Sequence, residues 1–181
     1  AVGYYKDAGG VFVDGSYELL MADDIRWGNL NDPDVAIDPE SRRSVMFVKQ
    51  AYTRLARVLF NNRKKEQAIA VLDKCVELFP NDKIPYDVMM LSCPEIYYAA
   101  GATNKGDDFM NVMLENCVDN LRYYYELEPE FIAYYSEDIY ENMAILDRLV
   151  NIATRFKRND LKIKISSVLG EQERKFKPYL G

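Results

Sequence analysis

The constraint that most limits this chain lies between Lys64 and Pro80, where small and apolar residues recur at helical spacing and end at a proline. In KKEQAIAVLDKCVELFP, Ala68 is followed by Leu72, Cys75 and Pro80, at offsets of four, seven and twelve. Offsets of four and seven place side chains on one face of a helix, and the proline cannot continue it. That face sends Lys74 to solvent. A small residue in such a stripe lets a second helix approach closely, and the preceding residues provide one. Asp38-Pro39 reads as an N-cap acid followed by proline at the first helical position. From there Val45, Val48, Tyr52, Leu55 and Leu59 recur at helical spacing as far as Asn61-Asn62, with Ala56 as the small partner. Two helices joined by a tight turn follow.

Two further hairpins are expected. Tyr97-Tyr98 and Gly101 suit an aromatic pair and a turn glycine, and a helix from about Lys105 to Tyr125 uses Phe109, Met113, Val118 and Leu121. Pro94 must start the first helix of this pair late or kink it, because an interior proline costs about 3 kcal/mol. Beyond Glu128-Pro129-Glu130, Ile139, Met143, Leu146, Leu149, Val150, Ala153 and Phe156 form one stripe. Leu161, Ile165, Val168, Leu169 and Phe176 form another, with Arg158-Asn159-Asp160 as the turn. Residues 1–38 lack sustained periodicity and carry only an extended candidate at Val11–Val13 and a helical one at Tyr17–Ile25. The fold class expected is all-α: about three antiparallel helix pairs over 39–181, with an irregular N-terminal extension (1–38) packed on them.

Composition narrows the chemistry. The chain has no histidine, which removes the commonest general base and the usual zinc ligand. Cys75, Cys93 and Cys117 stand far apart with no CxxC spacing and read as three free thiols. With 29 acids against 23 bases the formal charge is −6, which gives no reason to expect a nucleic-acid partner. No apolar run approaches the roughly 18 residues of a membrane span, so no direct membrane insertion is expected. The start Ala1-Val2-Gly3-Tyr4-Tyr5-Lys6 is not a signal peptide and lacks Met, so the chain reads as a segment of a longer protein.

Two resemblances follow from these residues. The Ala68, Leu72, Cys75, Pro80 spacing is similar to the second helix of a tetratricopeptide repeat, a binding scaffold built from stacked helix pairs. A wider set then occurs in order: Val13-Asp14, Arg26-Trp27-Gly28-Asn29, Asp38, Arg42-Arg43, the segment from Ala68 to Pro80, Ile84-Pro85-Tyr86, Tyr97-Tyr98 and Tyr123-Tyr124-Tyr125. This set, from about Val13 to Leu180, resembles the C-terminal region of bacterial multi-pass membrane proteins grouped as domain of unknown function 2723. Those proteins look like glycosyltransferases that use lipid-linked sugars. Pro94 and Gly106 depart from the small-residue pattern of the resemblance.

The resemblance implies that catalysis belongs to a membrane part absent from this chain. It further implies a parent in the bacterial inner membrane and a soluble, periplasmic location for this region. No catalytic residue, cofactor or metal is therefore expected here. The expected partner is a polypeptide segment or the membrane part of the parent, with a glycan as the alternative. By repeat offsets, the inner surface is expected at Gln50, Thr53, Arg57 and Phe60 on the first hairpin, then Glu95 and Tyr98. Trp27, the single tryptophan, reads as an anchor for the extension or as an aromatic platform for a sugar. The acids of the extension, among them Asp14, Asp32 and Asp38, read as turn acids and N-caps rather than as a paired-carboxylate or calcium site. Adjacent tyrosines point about 100° apart on a helix, so in each pair one ring can be buried while the other faces out.

Overall fold

The computed structural model describes residues 4–5, 11–23, 25, 32 and 34–180. Among them the architecture is all-α, with one two-residue antiparallel pairing of β1 (Tyr4–Tyr5) and β2 (Val11–Phe12). Eight helices follow: α1 (Val13–Met21), α2 (Pro39–Asn61), α3 (Lys65–Leu78), α4 (Ser92–Ala100), α5 (Thr103–Tyr125), α6 (Pro129–Tyr134), α7 (Ser136–Arg155) and α8 (Asn159–Phe176). A 3-10 turn at Val88–Met90 precedes α4. The chain forms two compact units, Ala1–Gly106 and Asp107–Gly181. That boundary, inside the first turn of α5, has no signal in the sequence.

In the first unit α2 and α3 pack as a hairpin. Leu55, Ala56, Leu59, Ala68, Leu72 and Cys75 are all fully buried. Each buried leucine contributes about 1.5–3 kcal/mol relative to exposure, and the two alanines let the backbones approach. The N-cap is as expected: Asp38 Oδ1 accepts from the N–H groups of Glu40 and Ser41 at 3.0 Å each. These bonds, with the Ser41 hydroxyl on Oδ2 first among the causes, hold the Asp38 carboxyl below its usual range. The segment before α2 is fastened to the hairpin by polar contacts. The buried Tyr52 hydroxyl donates to Leu20 O at 2.7 Å, and Lys83 Nζ donates to Val35 O at 2.8 Å. Lys74 corrects a sequence expectation. Its side chain is only 19% exposed because Nζ turns back to donate to Asp23 Oδ1 at 2.9 Å.

Pro94 is accommodated by a late start. It is the third residue of α4, where a backbone N–H has no partner within the helix, so its absence costs little. Gly106 has its own reason: a Cβ there would lie 2.6 Å from Cε1 of the buried Tyr98 ring.

In the second unit, α7 and α8 form the most extensive pair. Ile139, Leu146, Leu149, Ala153, Ile165 and Phe176 are buried in its core. The part of α5 from Asp107 onward joins them through polar ties. Asn120 Nδ2 donates to Asn142 Oδ1 at 3.1 Å, Lys164 Nζ donates to Asn111 Oδ1 at 2.8 Å, and Arg158 grips the Asp107 carboxylate with two nitrogens.

One turn chemistry recurs at three reversals. Arg63, Gly101 and Lys157 all have positive φ, of 63°, 94° and 57°. At each, the left-handed residue and its successor donate to two carbonyls of the last helical turn. The pairs are Arg63 N to Phe60 O with Lys64 N to Leu59 O, Gly101 N to Tyr98 O with Ala102 N to Tyr97 O, and Lys157 N to Thr154 O with Arg158 N to Ala153 O. This is the Schellman arrangement, which satisfies carbonyls that a helix end leaves open. An L-residue in this conformation costs roughly 1–2 kcal/mol, partly offset by the extra chain entropy that glycine loses on folding. Arg63→Gly and Lys157→Gly should therefore each stabilise their unit by up to about 1 kcal/mol in urea titrations. Gly101→Ala, with no atom within 4 Å of the added Cβ, should destabilise by about 1–2 kcal/mol through conformation alone. The opposite signs would show that the turns are not held left-handed.

Candidate functional site

The inner surface expected from repeat offsets lies wholly in the first unit, on α2 and α4, which pack against each other. Gln50, Phe60 and Glu95 keep partial exposure and Arg57 is exposed. Two members correct the expectation of an open groove. Thr53 is buried, its hydroxyl satisfied by Gln50 O at 3.0 Å, and Tyr98 is 8% exposed with its ring over Gly106. Both therefore serve packing. Trp27 lies outside the described residues.

Burial also reveals a residue that the apolar-stripe reading passed over. Lys49 is fully buried on α2, with Nζ donating to Ile84 O at 2.7 Å and to Pro85 O at 3.4 Å and lying 5.4 Å from the Tyr86 ring centroid. Desolvation lowers its pKa, opposed by the Asp87 carboxylate. The signal was present: positions 45, 49, 52, 56 and 59 continue one helical stripe, so Lys49 had to face inward. Its ammonium clasps the loop after Pro80 onto α2. Around it the thiols are inert. Burial pushes Cys75 up to about 12 and Cys93 well above its ordinary value. Cys117 in the second unit is likewise pushed up to about 12. Tyr97 donates to Asp73 Oδ1 at 3.0 Å, and burial, then Asp73, raises its pKa, so the phenol stays protonated. Nothing in this cluster resembles an activated nucleophile.

The acids of the extension are engaged locally. Asp32 Oδ1 accepts from Asp34 N at 3.0 Å, Asp38 caps α2, and Asp14 stands 3.9 Å from Lys64. Among the described residues no three His, Cys, Asp or Glu side chains gather in a way that would hold a metal ion. No described helix is long and apolar enough to cross a membrane.

The second unit presents the more distinctive surface. The C-terminal end of α5, α6 and the start of α7 carry a run of rings in contact: Tyr123 to Tyr124 at 5.5 Å, Tyr124 to Tyr135 at 5.4 Å, and Tyr135 to Tyr134 at 5.1 Å between centroids. Tyr124 and Tyr135 are half-buried, whereas Tyr123 is 58% and Tyr134 78% exposed. On α5 this division follows from helical geometry, whereas Tyr97 and Tyr98 on α4 depart from it, both being buried. Phe131 and Tyr140 add further exposed rings at 49% and 52%. Burial first, then Asp138, Tyr135, Tyr123 and Glu141, raises the Tyr124 pKa, which places those two carboxylates around the cluster. An open cleft of about 710 Å³ lies between α7 and α8, lined by Tyr140, Met143, Asp147, Leu169, Glu173 and Lys177 among others. Exposed aromatic rings in mutual contact bind by area and by face, not by proton transfer.

No protein-family model matches this chain, and neither a curated protein nor a solved structure is significantly similar to it.

Two outcomes are expected. Buried thiols and phenols whose folded pKa is raised stabilise fully below their unfolded values and lose that contribution as pH rises toward the folded ones. Cys75 and Cys117 move from 9.0 to about 12 and Tyr52 from 10.0 to about 12, so the window is pH 9 to 12. Lys49 acts oppositely: its depressed pKa makes stability rise with pH until 10.5, and one lysine is outweighed by several acids. The melting temperature should thus fall steeply above about pH 10, each group contributing up to about 1.4 kcal/mol per pH unit; a flat profile from pH 9 to 11 would mean that water reaches the thiols. Secondly, Tyr134→Ser and Tyr123→Ser should change stability by less than about 0.5 kcal/mol in denaturant titrations, as exposed side chains do.

Proposed function

We propose that this chain is a non-catalytic, tetratricopeptide-like interaction domain of a multi-pass, glycosyltransferase-like membrane protein. The observation that carries this reading is the run of contacting, solvent-exposed tyrosines from Tyr123 to Tyr134. Soluble proteins seldom leave contiguous apolar rings open unless something covers them. Two hairpins closed by one turn chemistry, α2–α3 and α7–α8, support a repeated hairpin plan, as a tetratricopeptide-like array requires. The ordered resemblance in the sequence supports the membrane parent, with this domain on the periplasmic side of a bacterial inner membrane. Chemistry at a lipid-linked sugar then belongs to the parent's membrane part, and this domain holds a polypeptide for it.

The second reading, a carbohydrate-binding accessory domain that presents the acceptor glycan, is favoured by one feature: tyrosine rings offer a stacking face to a sugar's C–H surface. The test uses the full-length parent in cells, with a photo-crosslinking amino acid at Tyr134 or Tyr123 and, as control, at exposed Lys162. A crosslinked polypeptide at the tyrosine positions alone is expected. Equal yield at Lys162, or none at either tyrosine, would sink the polypeptide-binding reading. Hydrophobic spans encoded upstream of this chain are expected from the parent assignment, and their absence would remove it.

A further inference from the structure

Charge in this chain is concentrated where the rings are. The segment from Asp119 to Glu141 holds seven carboxylates and one guanidinium, a net of −6, and the whole chain, with 23 bases and 29 acids, is also −6. The remaining residues sum to zero. All seven carboxylates are exposed. Only Asp119 is paired, with Arg122 at 2.7 Å, and among the described residues no cation meets the other six.

Helix electrostatics explains part of this set. Glu137 and Asp138 lie in the first turn of α7, where the positive end of the helix favours them. Glu126 directly follows the C-terminus of α5, where the helix dipole favours a cation instead. Glu141 stands one turn after Glu137, a like-charge spacing that repels. Glu126 and Glu141 are thus set against local preference, in the same segment as the open rings.

We infer that the tyrosine face at the α5–α6–α7 junction docks an extended arginine- and lysine-rich polypeptide segment. The inference rests on the interaction-domain reading and names the class of its partner. Guanidinium and ammonium groups are drawn to aromatic faces and to carboxylates, and this face offers both together. The same unit already uses this chemistry internally: Lys175 Nζ lies 5.5 Å from the Tyr125 ring and the Arg155 guanidinium 5.2 Å from Phe156. Other occupants fit less well. A second copy would bring the same −6 patch against itself, and an anionic bilayer or nucleic acid would be repelled. A neutral glycan would stack but leave the carboxylates unmatched.

The test titrates the chain into fluorescein-labelled octa-arginine, with maltohexaose as a neutral oligosaccharide probe, and reads anisotropy and calorimetry at low and moderate salt. Glu126→Gln/Glu128→Gln/Glu141→Gln should weaken octa-arginine binding about tenfold. Tyr123→Ser/Tyr134→Ser, which leaves the charge unchanged, should weaken it about fivefold. A control of equal charge change in the first unit, Glu18→Gln/Glu66→Gln/Asp82→Asn, should stay within about twofold, and added salt should weaken the wild type. Melting curves check that each variant folds. Equal losses in the control and patch triples, or no effect of the tyrosine variant, would show diffuse attraction and overturn the docking site. Maltohexaose bound in preference to octa-arginine, and lost with the tyrosines, would overturn the basic partner while leaving a binding face. No binding of either probe, together with no crosslink at Tyr134 in cells, would remove the interaction-domain reading as well.

Discussion

The structure depends on left-handed residues at helix ends, because those at Arg63 and Lys157 each convert an amphipathic helix into half of a hairpin. A continuous helix through Arg63 would carry the α2 stripe away from the α3 stripe, and Leu55, Leu59 and Leu72 would remain in water. Positive φ at Arg63 reverses the chain within three residues and closes two carbonyls of the last turn of α2. The same geometry at Lys157 brings Ile165 and Phe176 to the core of the α7–α8 pair. Only the middle reversal uses glycine. The flanking two accept the conformational cost of an L-residue and keep a long basic side chain at the tip, and at Lys157 the next residue, Arg158, turns that tip onto Asp107.

Once the first hairpin is closed, buried polar groups organise what surrounds it. Tyr52 and Lys49 reach from one stripe of α2 to different segments, one to the carbonyl of Leu20 and the other to those of Ile84 and Pro85. A donor in an apolar core must find an acceptor: Tyr52 finds one in the last turn of α1, and Lys49 finds two in the irregular segment after α3. The short helix α1 and the irregular stretch after α3 are thereby held on α2.

Much of this was legible in the residues. Asp38-Pro39, the stripe through Leu55 and Leu59, the Ala68 to Pro80 spacing and the α7 and α8 stripes each follow from helical periodicity and capping, which are local. Pro94 was legible as a choice between two outcomes, and the structure takes the late start. What was not legible depends on long-range packing. The stripe turns Lys49 inward, but the carbonyls that satisfy it lie more than thirty residues away and could not be read from it. Thr53 and Tyr98 were assigned to a groove by repeat offsets, and offsets say nothing of packing: Thr53 is buried, and the Tyr98 ring occupies the space that Gly106 leaves open. The tyrosines and the acids share one stretch of sequence, yet that the rings touch across α5 and α6 appears only once the helices are placed.

The burial of the three thiols has a consequence for where such a domain can work. Cys75, Cys93 and Cys117 are all buried and free. Disulfide formation needs a thiolate that an oxidant can reach and a second thiol beside it, and burial denies these three both access and ionisation. The folded chain therefore neither gains a crosslink in an oxidising compartment nor loses one in a reducing one. With no crosslink to form or to break, its stability is indifferent to the redox state of its surroundings.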